Sequence, residues 1–206
     1  MGRVRVKICG ITRLQDALLA EALGAHALGF VLAPGSRRRV DPEAARAISQ
    51  ALGPMVVRVG VFRDHGPEEV LRLMERARLQ VAQLHGGEPP EWAEAVGRFF
   101  PVVKAFALEG PARPEWADYP AQALLLDSRR PGSGEGYPRA WAKPLLATGR
   151  RVILSGGITP ENVEEVLALK PYAIDLASGV EEAPGVKSEA RLKALFARLE
   201  AWNQDV

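Results

Sequence analysis

The chain has 206 residues, 47% of them hydrophobic and 25% charged, with a formal net charge of +2 at pH 7. That composition suits a soluble globular protein with one substantial core, and its scattered basic residues exclude the broad cationic stripe of a nucleic-acid-binding face. No apolar run approaches the roughly 18–20 residues of a membrane span, and a single cysteine excludes an internal disulfide framework.

A first strand is predicted over Val4–Ile8. The helix after it carries Leu14, Ala17 and Leu18, apolar positions three and four apart that build one buried face. Thr12, with Gln15 three residues on, has the spacing to cap that helix, and Gly24 stands where it should stop. A second strand, Ala27–Leu32, leads through the basic run Arg37-Arg38-Arg39 to Asp41-Pro42, a capping residue ahead of a proline at the first helical position. Gly53 closes that helix. Strands over Val56–Phe62 and Val81–Leu84 flank a helix whose apolar face is Val70, Leu71, Met74 and Ala77. The fifth strand is Val102–Phe106, and the helical pattern that follows, around Glu115–Ala117, is weak enough to be a short or distorted turn. Strands six and seven are Ala123–Leu126 and Arg151–Leu154. Thr159-Pro160 then opens another helix, with Val163, Val166 and Leu167 on its buried face. The eighth strand, Ala173–Ala177, precedes a last helix carried by Leu192, Leu195, Phe196 and Leu199.

Eight strand–helix units in about 200 residues, joined by right-handed crossovers, favour a closed parallel barrel or a doubly wound sheet, and the strand count favours the barrel. No linker, low-complexity stretch or composition shift divides the chain. Residues 1–206 are therefore expected to form one (β/α)8 barrel domain.

In such a barrel the chemistry sits where the C-terminal ends of the strands converge. Strand one ends in Lys7-Ile8-Cys9-Gly10, strand two leads into Ser36-Arg37-Arg38-Arg39, and strand four ends in Gln83-Leu84-His85-Gly86. Strand six ends in Leu126-Asp127-Ser128, strand seven in Ser155-Gly156-Gly157, and strand eight in Asp175-Leu176-Ala177-Ser178-Gly179. Ionisable, polar and glycine residues gather at one end of successive strands, which a purely structural barrel has little need of.

The loops after strands seven and eight give the most specific physical signal. Gly156, Gly157, Ser178 and Gly179 let backbone N–H groups approach a ligand closely, and this is the usual phosphate site of such barrels. The competing reading is that these glycines only make tight turns. Cys9 is either a buried core thiol or, placed at a strand end before Gly10, a reactive one. At an ordinary pKa near 8.5 only about 3% of it would be thiolate at pH 7, so a base at this position wants about 2 kcal/mol of favourable interaction with the anion. Lys7 shares its strand face and is positioned to supply part of that, or to pair instead with an acid such as Asp175. Asp127 ends the apolar run Ala123-Leu124-Leu125-Leu126, where partial desolvation favours an acid role; a loop cap is the alternative. His85 either binds substrate or hydrogen-bonds the next loop, and His26 and His65 have no supporting context. No histidines, carboxylates or cysteines show metal-ligand spacing, so no metal is expected. The N-terminal Met1-Gly2-Arg3-Val4-Arg5 has no apolar h-region of signal-peptide length, which with the lone cysteine gives the expectation of a cytoplasmic protein.

These strand ends resemble, in order, the signatures of the phosphoribosylanthranilate isomerase family. The matching segments are Lys7-Ile8-Cys9-Gly10-Ile11-Thr12, Gly29-Phe30-Val31 with Ser36-Arg37-Arg38-Arg39-Val40, and Gln83-Leu84-His85-Gly86. They continue with Leu126-Asp127-Ser128, Leu154-Ser155-Gly156-Gly157-Ile158, Asp175-Leu176-Ala177-Ser178-Gly179-Val180-Glu181 and Pro184-Gly185-Val186-Lys187. Any one segment is weak; together they run from residue 7 to residue 187. The resemblance implies an Amadori rearrangement of N-(5'-phosphoribosyl)anthranilate with no cofactor, Cys9 as general base and Asp127 as general acid. It also implies that Arg38 meets the anthranilate carboxylate and that Asp175 lies near the anthranilate amino group.

One loop departs from the family's pattern. Members commonly show two glycines before a Ser/Thr, a lysine after the next glycine, and Phe-Asp-Trp beyond. Here Pro131, Glu135, Tyr137, Pro138 and Arg139 stand instead, while Gly132 and Gly134 remain for backbone contacts to phosphate. Rival barrels are indole-3-glycerol phosphate synthase, ribulose-phosphate epimerase and thiamine phosphate synthase. The first wants a catalytic lysine with acidic partners and the second a metal with histidine ligands, and neither pattern is evident. A non-catalytic phosphosugar-binding barrel would have lost an ionisable strand end, yet Cys9 and Asp127 are both present. The expected partner is a small phosphosugar, with no nucleic acid and no membrane, and the chain is a monomer or a homodimer.

Overall fold

The computed structural model describes residues 4–205. Met1–Arg3, on which the reading of the N-terminus partly rests, and the last residue of the expected 1–206 domain lie outside the described residues. Eight parallel strands close into a barrel in chain order: β1 (Arg5–Cys9), β2 (Ala27–Val31), β3 (Val57–Phe62), β4 (Val81–Leu84), β5 (Val102–Leu108), β6 (Ala123–Ser128), β7 (Val152–Leu154) and β8 (Ala173–Leu176). The (β/α)8 barrel expected from the sequence is the fold observed. Around it lie α1 (Leu14–Ala22), α2 (Pro42–Ala51), α3 (Pro67–Arg76), α4 (Pro90–Gly97), α5 (Lys143–Leu146), α6 (Val163–Leu167) and α7 (Glu189–Asp205). The weak fifth helical pattern forms only a 3-10 turn, Pro114–Asp118. Among the described residues no helix is long and apolar enough to cross a membrane.

Successive side chains of a strand point to opposite faces. Residues such as Ile8, Leu28, Phe30, Leu124, Leu126 and Ile174 face outward into the layer between barrel and helices, where all are fully buried. Inside the barrel Val103, Ala105, Ala123, Leu125, Ile153 and Ala173 pack together, and above them Cys9, Val31 and Val61 form a smaller group. Strands buried on both faces read as continuous apolar runs, which is why the sequence located them within two residues.

The helix starts are mixed. Asp41 caps α2 as expected, accepting from the Glu43 N–H at 2.9 Å with Pro42 in the first turn. The Thr159 hydroxyl accepts from the Glu161 N–H, but α6 proper begins only at Val163. Thr12 does not cap α1: the N-cap is Arg13, and the Thr12 hydroxyl donates to the Gly185 carbonyl. The expected face of α1 is also rotated. Leu14 and Leu18 are 45% and 41% exposed, while Asp16, Ala17 and Ala20 are buried. Asp16 accounts for the rotation: it takes two hydrogen bonds from Arg13 and one from the Lys187 N–H, and so stays inside. Asp16 ties α1 to the last β element, a contact 171 residues apart.

The two histidines without sequence context serve the scaffold. His26 Nδ1 accepts from the Val6 N–H at 3.2 Å, and burial, then Arg5, lowers its pKa and keeps it neutral for that task. His65 Nδ1 lies 2.9 Å from the Arg63 carbonyl in the turn after β3 and its ring packs edge-on to Phe62.

At the N-terminal end of β3, Arg58 points outward and donates to the carbonyls of Val56, Ser49 and Leu52, so one buried cation closes the C-terminal end of α2. Arg58→Met is expected to lower the unfolding free energy by roughly 2–3 kcal/mol, read from a urea titration, because three carbonyls lose a charged donor. Turnover should be unaffected, since Arg58 lies at the opposite end of the barrel from the site described next.

Candidate active site

The inward-facing residues at the C-terminal ends of the strands line one cavity of about 710 Å³, which includes Cys9, Val31, His85, Asp127, Ser155 and Asp175. That volume is in the range of small-molecule sites. The closure of the barrel brings β1 and β6 to the same opening from three strands apart by way of β7 and β8. Among the described residues there is no group of three or more His, Cys, Asp and Glu placed to hold a metal ion.

Lys7 and Asp175 lie at the base of the cavity as register partners across β1 and β8. The Lys7 ammonium donates to both Asp175 oxygens, at 3.0 and 2.9 Å, with both side chains buried. Burial works against the ammonium, yet Asp175 and the Cys9 sulfur outweigh it and raise the Lys7 pKa. Both roles considered for Lys7 are thus realised together. Cys9 is 9% exposed. Burial pushes its thiol up, Lys7 pulls it down, Asp175 pushes it up again, and the balance lies above the ordinary value. The cation expected from the sequence is in place, but burial outweighs it.

Asp127, next to the last residue of β6, is 5% exposed, with Oδ1 accepting from the Ser128 N–H at 2.8 Å. Its Oδ2 lies 3.4 Å from Nε2 of His85. On the other side of that ring, Nδ1 is 2.9 Å from the carboxamide nitrogen of Gln83. His85 therefore stands between a residue of its own strand and Asp127.

Of the three consecutive arginines only Arg38 is buried, at 8% exposure, while Arg37 and Arg39 face solvent. Its Nε and Nη2 donate to the carboxylate of Glu181 and its Nη1 to the Gly132 carbonyl. A guanidinium has five N–H donors, so one on each terminal nitrogen has no partner among the described residues. Gly10 is required beneath it: its φ is +77° and a Cβ there would lie 2.6 Å from Arg38 Cδ. Glu181 also accepts from Lys187 at 2.8 Å, and Lys187 donates further to the Cys9 carbonyl. Burial raises the Glu181 carboxyl, but the Arg38 and Lys187 donors reverse this and hold it low and ionised. Glu181 and Lys187 sit on a hairpin, β9 (Glu181–Ala183) and β10 (Val186–Lys187), that the sequence reading missed. Its signal was Pro184-Gly185, a turn pair between short polar arms. Gln83 and the buried Lys104–Glu88 pair were missed as well. Glu88 accepts from the N–H groups of Asp64 and Gly86, which fixes the loop after β4, and a lysine inside the apolar run of β5 was the available signal.

Gly132, Gly134, Gly156, Gly157 and Ser178 all line the cavity, Gly132 beside Arg38. Gly179 is not among the lining residues. A Cβ there would fall 1.8 Å from the Ile158 carbonyl oxygen, so glycine is what lets the loops after β7 and β8 lie against each other. In the departing loop, Glu135 is exposed and pairs with Arg130 at 3.3 Å. Arg139 lies over the buried Tyr137 ring and donates to the carbonyls of Ser155 and Gly156. The cation of this loop thus engages the carbonyl side of the glycine turn.

The model of one protein family, N-(5'phosphoribosyl)anthranilate (PRA) isomerase, matches residues 6–198. The chain belongs to that family. A Deinococcus radiodurans protein named N-(5'-phosphoribosyl)anthranilate isomerase is 41% identical, over 95% of this chain and 96% of its own. The crystal structure of phosphoribosyl anthranilate isomerase from Thermus thermophilus superposes with a TM-score of 0.96 at 85% identity, covering 97% of this chain and all of that one. A further family structure, in complex with reduced 1-(o-carboxyphenylamino)-1-deoxyribulose 5-phosphate, gives a TM-score of 0.88 at 38% identity over 96% of this chain and 99% of that one. Membership bears out the resemblance drawn from the strand ends, which span almost the same residues.

Because Cys9 is the single thiol, its ionisation is directly measurable. Iodoacetamide labelling should accelerate with pH through a midpoint above the usual thiol value of about 8.5. In Lys7→Met the midpoint should move higher still, since a cation that favours the thiolate is gone. A midpoint below neutrality would contradict the balance of burial over Lys7.

Proposed function

We propose that this protein catalyses the Amadori rearrangement of N-(5'-phosphoribosyl)anthranilate to 1-(2-carboxyphenylamino)-1-deoxyribulose 5-phosphate in tryptophan biosynthesis, with Asp127 as general acid and Cys9 as general base. The observation that carries this reading is the convergence of Cys9 and Asp127 on one cavity in a chain that matches the isomerase family over residues 6–198.

The substrate has a phosphate at one end and a carboxylate at the other. Glycine-rich turns with Gly132, Gly134, Gly156, Gly157 and Ser178 supply backbone N–H groups for the phosphate, and Gly179 packs behind them. Arg38, with two unpartnered N–H groups, receives the anthranilate carboxylate, and Asp175 lies near the amino nitrogen, where positive charge develops. His85 completes the substrate side beside Asp127.

Asp127 gives its proton to the furanose ring oxygen. The C1–O bond breaks and the nitrogen lone pair forms a C=N bond, leaving an open-chain iminium. That cation acidifies the C2 proton, which the Cys9 thiolate removes to give an enolamine, and tautomerisation yields the ketone. No electrons enter or leave, so the reaction asks for no redox cofactor. Burial holds the Cys9 pKa above its ordinary value. The iminium forms next to the sulfur, and its positive charge favours the thiolate when the base is needed.

The residues in this reading come from one chain, so a monomer and a homodimer both carry complete sites. A small phosphosugar is the partner proposed, and the cytoplasm the location.

With phosphoribosylanthranilate generated in situ and its fluorescence followed, Cys9→Ala and Asp127→Asn should each lose on the order of 100- to 10,000-fold in kcat with the fold intact by circular dichroism. Wild-type turnover in Cys9→Ala would remove the base assignment. Arg38→Met should raise KM roughly 10- to 100-fold with a smaller change in kcat, because it loses a charged contact made before and during the reaction. An unchanged KM would take Arg38 out of the substrate site.

A further inference from the structure

Two buried polar atoms on the inward face at the end of β4 have no hydrogen-bond partner among the described residues: Oε1 of Gln83 and Nε2 of His85. Gln83 is 1% exposed and sits inside the barrel one layer below the rim, in register with Val61 on one side and Val103 on the other. An apolar side chain of the same length would fill that layer without burying an amide, so the carboxamide needs another explanation. Its nitrogen lies 2.9 Å from Nδ1 of His85. A carboxamide nitrogen only donates, so Nδ1 is the acceptor and the single proton of a neutral imidazole sits on Nε2. Nε2 lies 3.4 Å from Oδ2 of Asp127, with no hydrogen bond formed between them. The other carboxylate oxygen, Oδ1, already accepts from the Ser128 N–H. Oδ2 is therefore the oxygen left to meet both His85 and the cavity.

We propose that Gln83 is a positioning residue that holds His85 in its Nε2–H tautomer, so that a neutral donor stands beside the Asp127 oxygen that releases the proton. The proposal rests on the reading of Asp127 as the acid and adds a residue to it. A neutral N–H interacts more strongly with a carboxylate than with a carboxylic acid. It therefore gains strength as the proton leaves, and an interaction stronger in the transition state than in the ground state lowers the barrier. The opposite tautomer would present a lone pair to the new carboxylate and oppose the same step. Gln83 touches no reacting atom in this scheme and acts through His85 alone.

The tautomer is measured directly by long-range proton–nitrogen correlation NMR on protein labelled with 15N-histidine. Only three histidines are present, and the His85 signals are assigned by their loss in His85→Phe. In the wild type at pH 8 the pattern of a protonated Nε2 is expected. Gln83→Met should give a mixture of tautomers, with kcat about tenfold lower because the donor beside Asp127 is no longer held, and KM within about twofold. In the His85→Phe background the same substitution should cost nothing more, because its route of action is already absent. A wild-type His85 protonated on Nδ1 overturns the proposal without recourse to any variant, whether or not Gln83→Met folds. It is equally overturned if Gln83→Met keeps both tautomer and kcat, or if the two substitutions are additive. The acid assignment fails separately, on wild-type turnover in Asp127→Asn. Inactive Asp127→Asn beside unchanged Gln83→Met overturns the role of Gln83 alone.

Discussion

The buried ion pair between Lys7 and Asp175 lies across the seam where the last strand of the barrel meets the first. The two residues are 168 positions apart in the chain and direct register partners in the sheet. A pair of this kind contributes little net stability, since desolvation offsets most of the attraction. Its effect is on specificity. A slip of one residue between β8 and β1 would turn one charge out of the barrel and leave the other buried alone, at about 3–5 kcal/mol. The same pair lies under Cys9 and sets its electrostatic surroundings, so barrel closure and the candidate base share one interaction. Burial pushes the thiol above its ordinary value, with a cation at hand that limits the cost of ionising it.

A second buried network repeats the pattern on the outer side of the rim. Glu181 lies between Arg38 and Lys187, two cations to one anion, and Lys187 also anchors the carbonyl of Cys9. The surplus positive charge sits beside the cavity, where an anion entering from solvent offsets it. Arg38 is held on one edge by Glu181 and tied through the Gly132 carbonyl to the loop after β6. The loops after β2, β6 and β8 are thereby joined through one guanidinium. Preorganisation of this kind removes part of the ordering cost that a free arginine would incur on binding. At the other end of the cavity the work falls to backbone, and Arg139 holds the carbonyls of Ser155 and Gly156.

How legible the fold was depends on which force decided each element. Strands buried on both faces announce themselves as apolar runs, and Asp41-Pro42 marks a helix start through purely local chemistry. The first helix was misread because local spacing competes with a tertiary contact. Leu14, Ala17 and Leu18 form an acceptable apolar face, but Asp16 is drawn inside by Arg13 and by the backbone of Lys187. Thr12 has the spacing of a cap and spends its hydroxyl on the Gly185 carbonyl instead. Both exceptions meet the hairpin after β8, whose position no local pattern near residue 12 encodes.

Sequence by itself determined the barrel, the end of it that carries chemistry, and the identity of the residues there, because strand periodicity and chain order fix which side chains reach the rim. Arg38 was singled out among three adjacent arginines by the resemblance of its motif to the family's. Only the tertiary structure decided the state of those residues. That Lys7 serves Asp175 and Cys9 at once, that burial outweighs Lys7 at the Cys9 thiol, and that His85 stands between Gln83 and Asp127 are facts of distance and burial between separate strands. Protonation depends on desolvation and on neighbours far away in the chain, and a linear pattern contains neither.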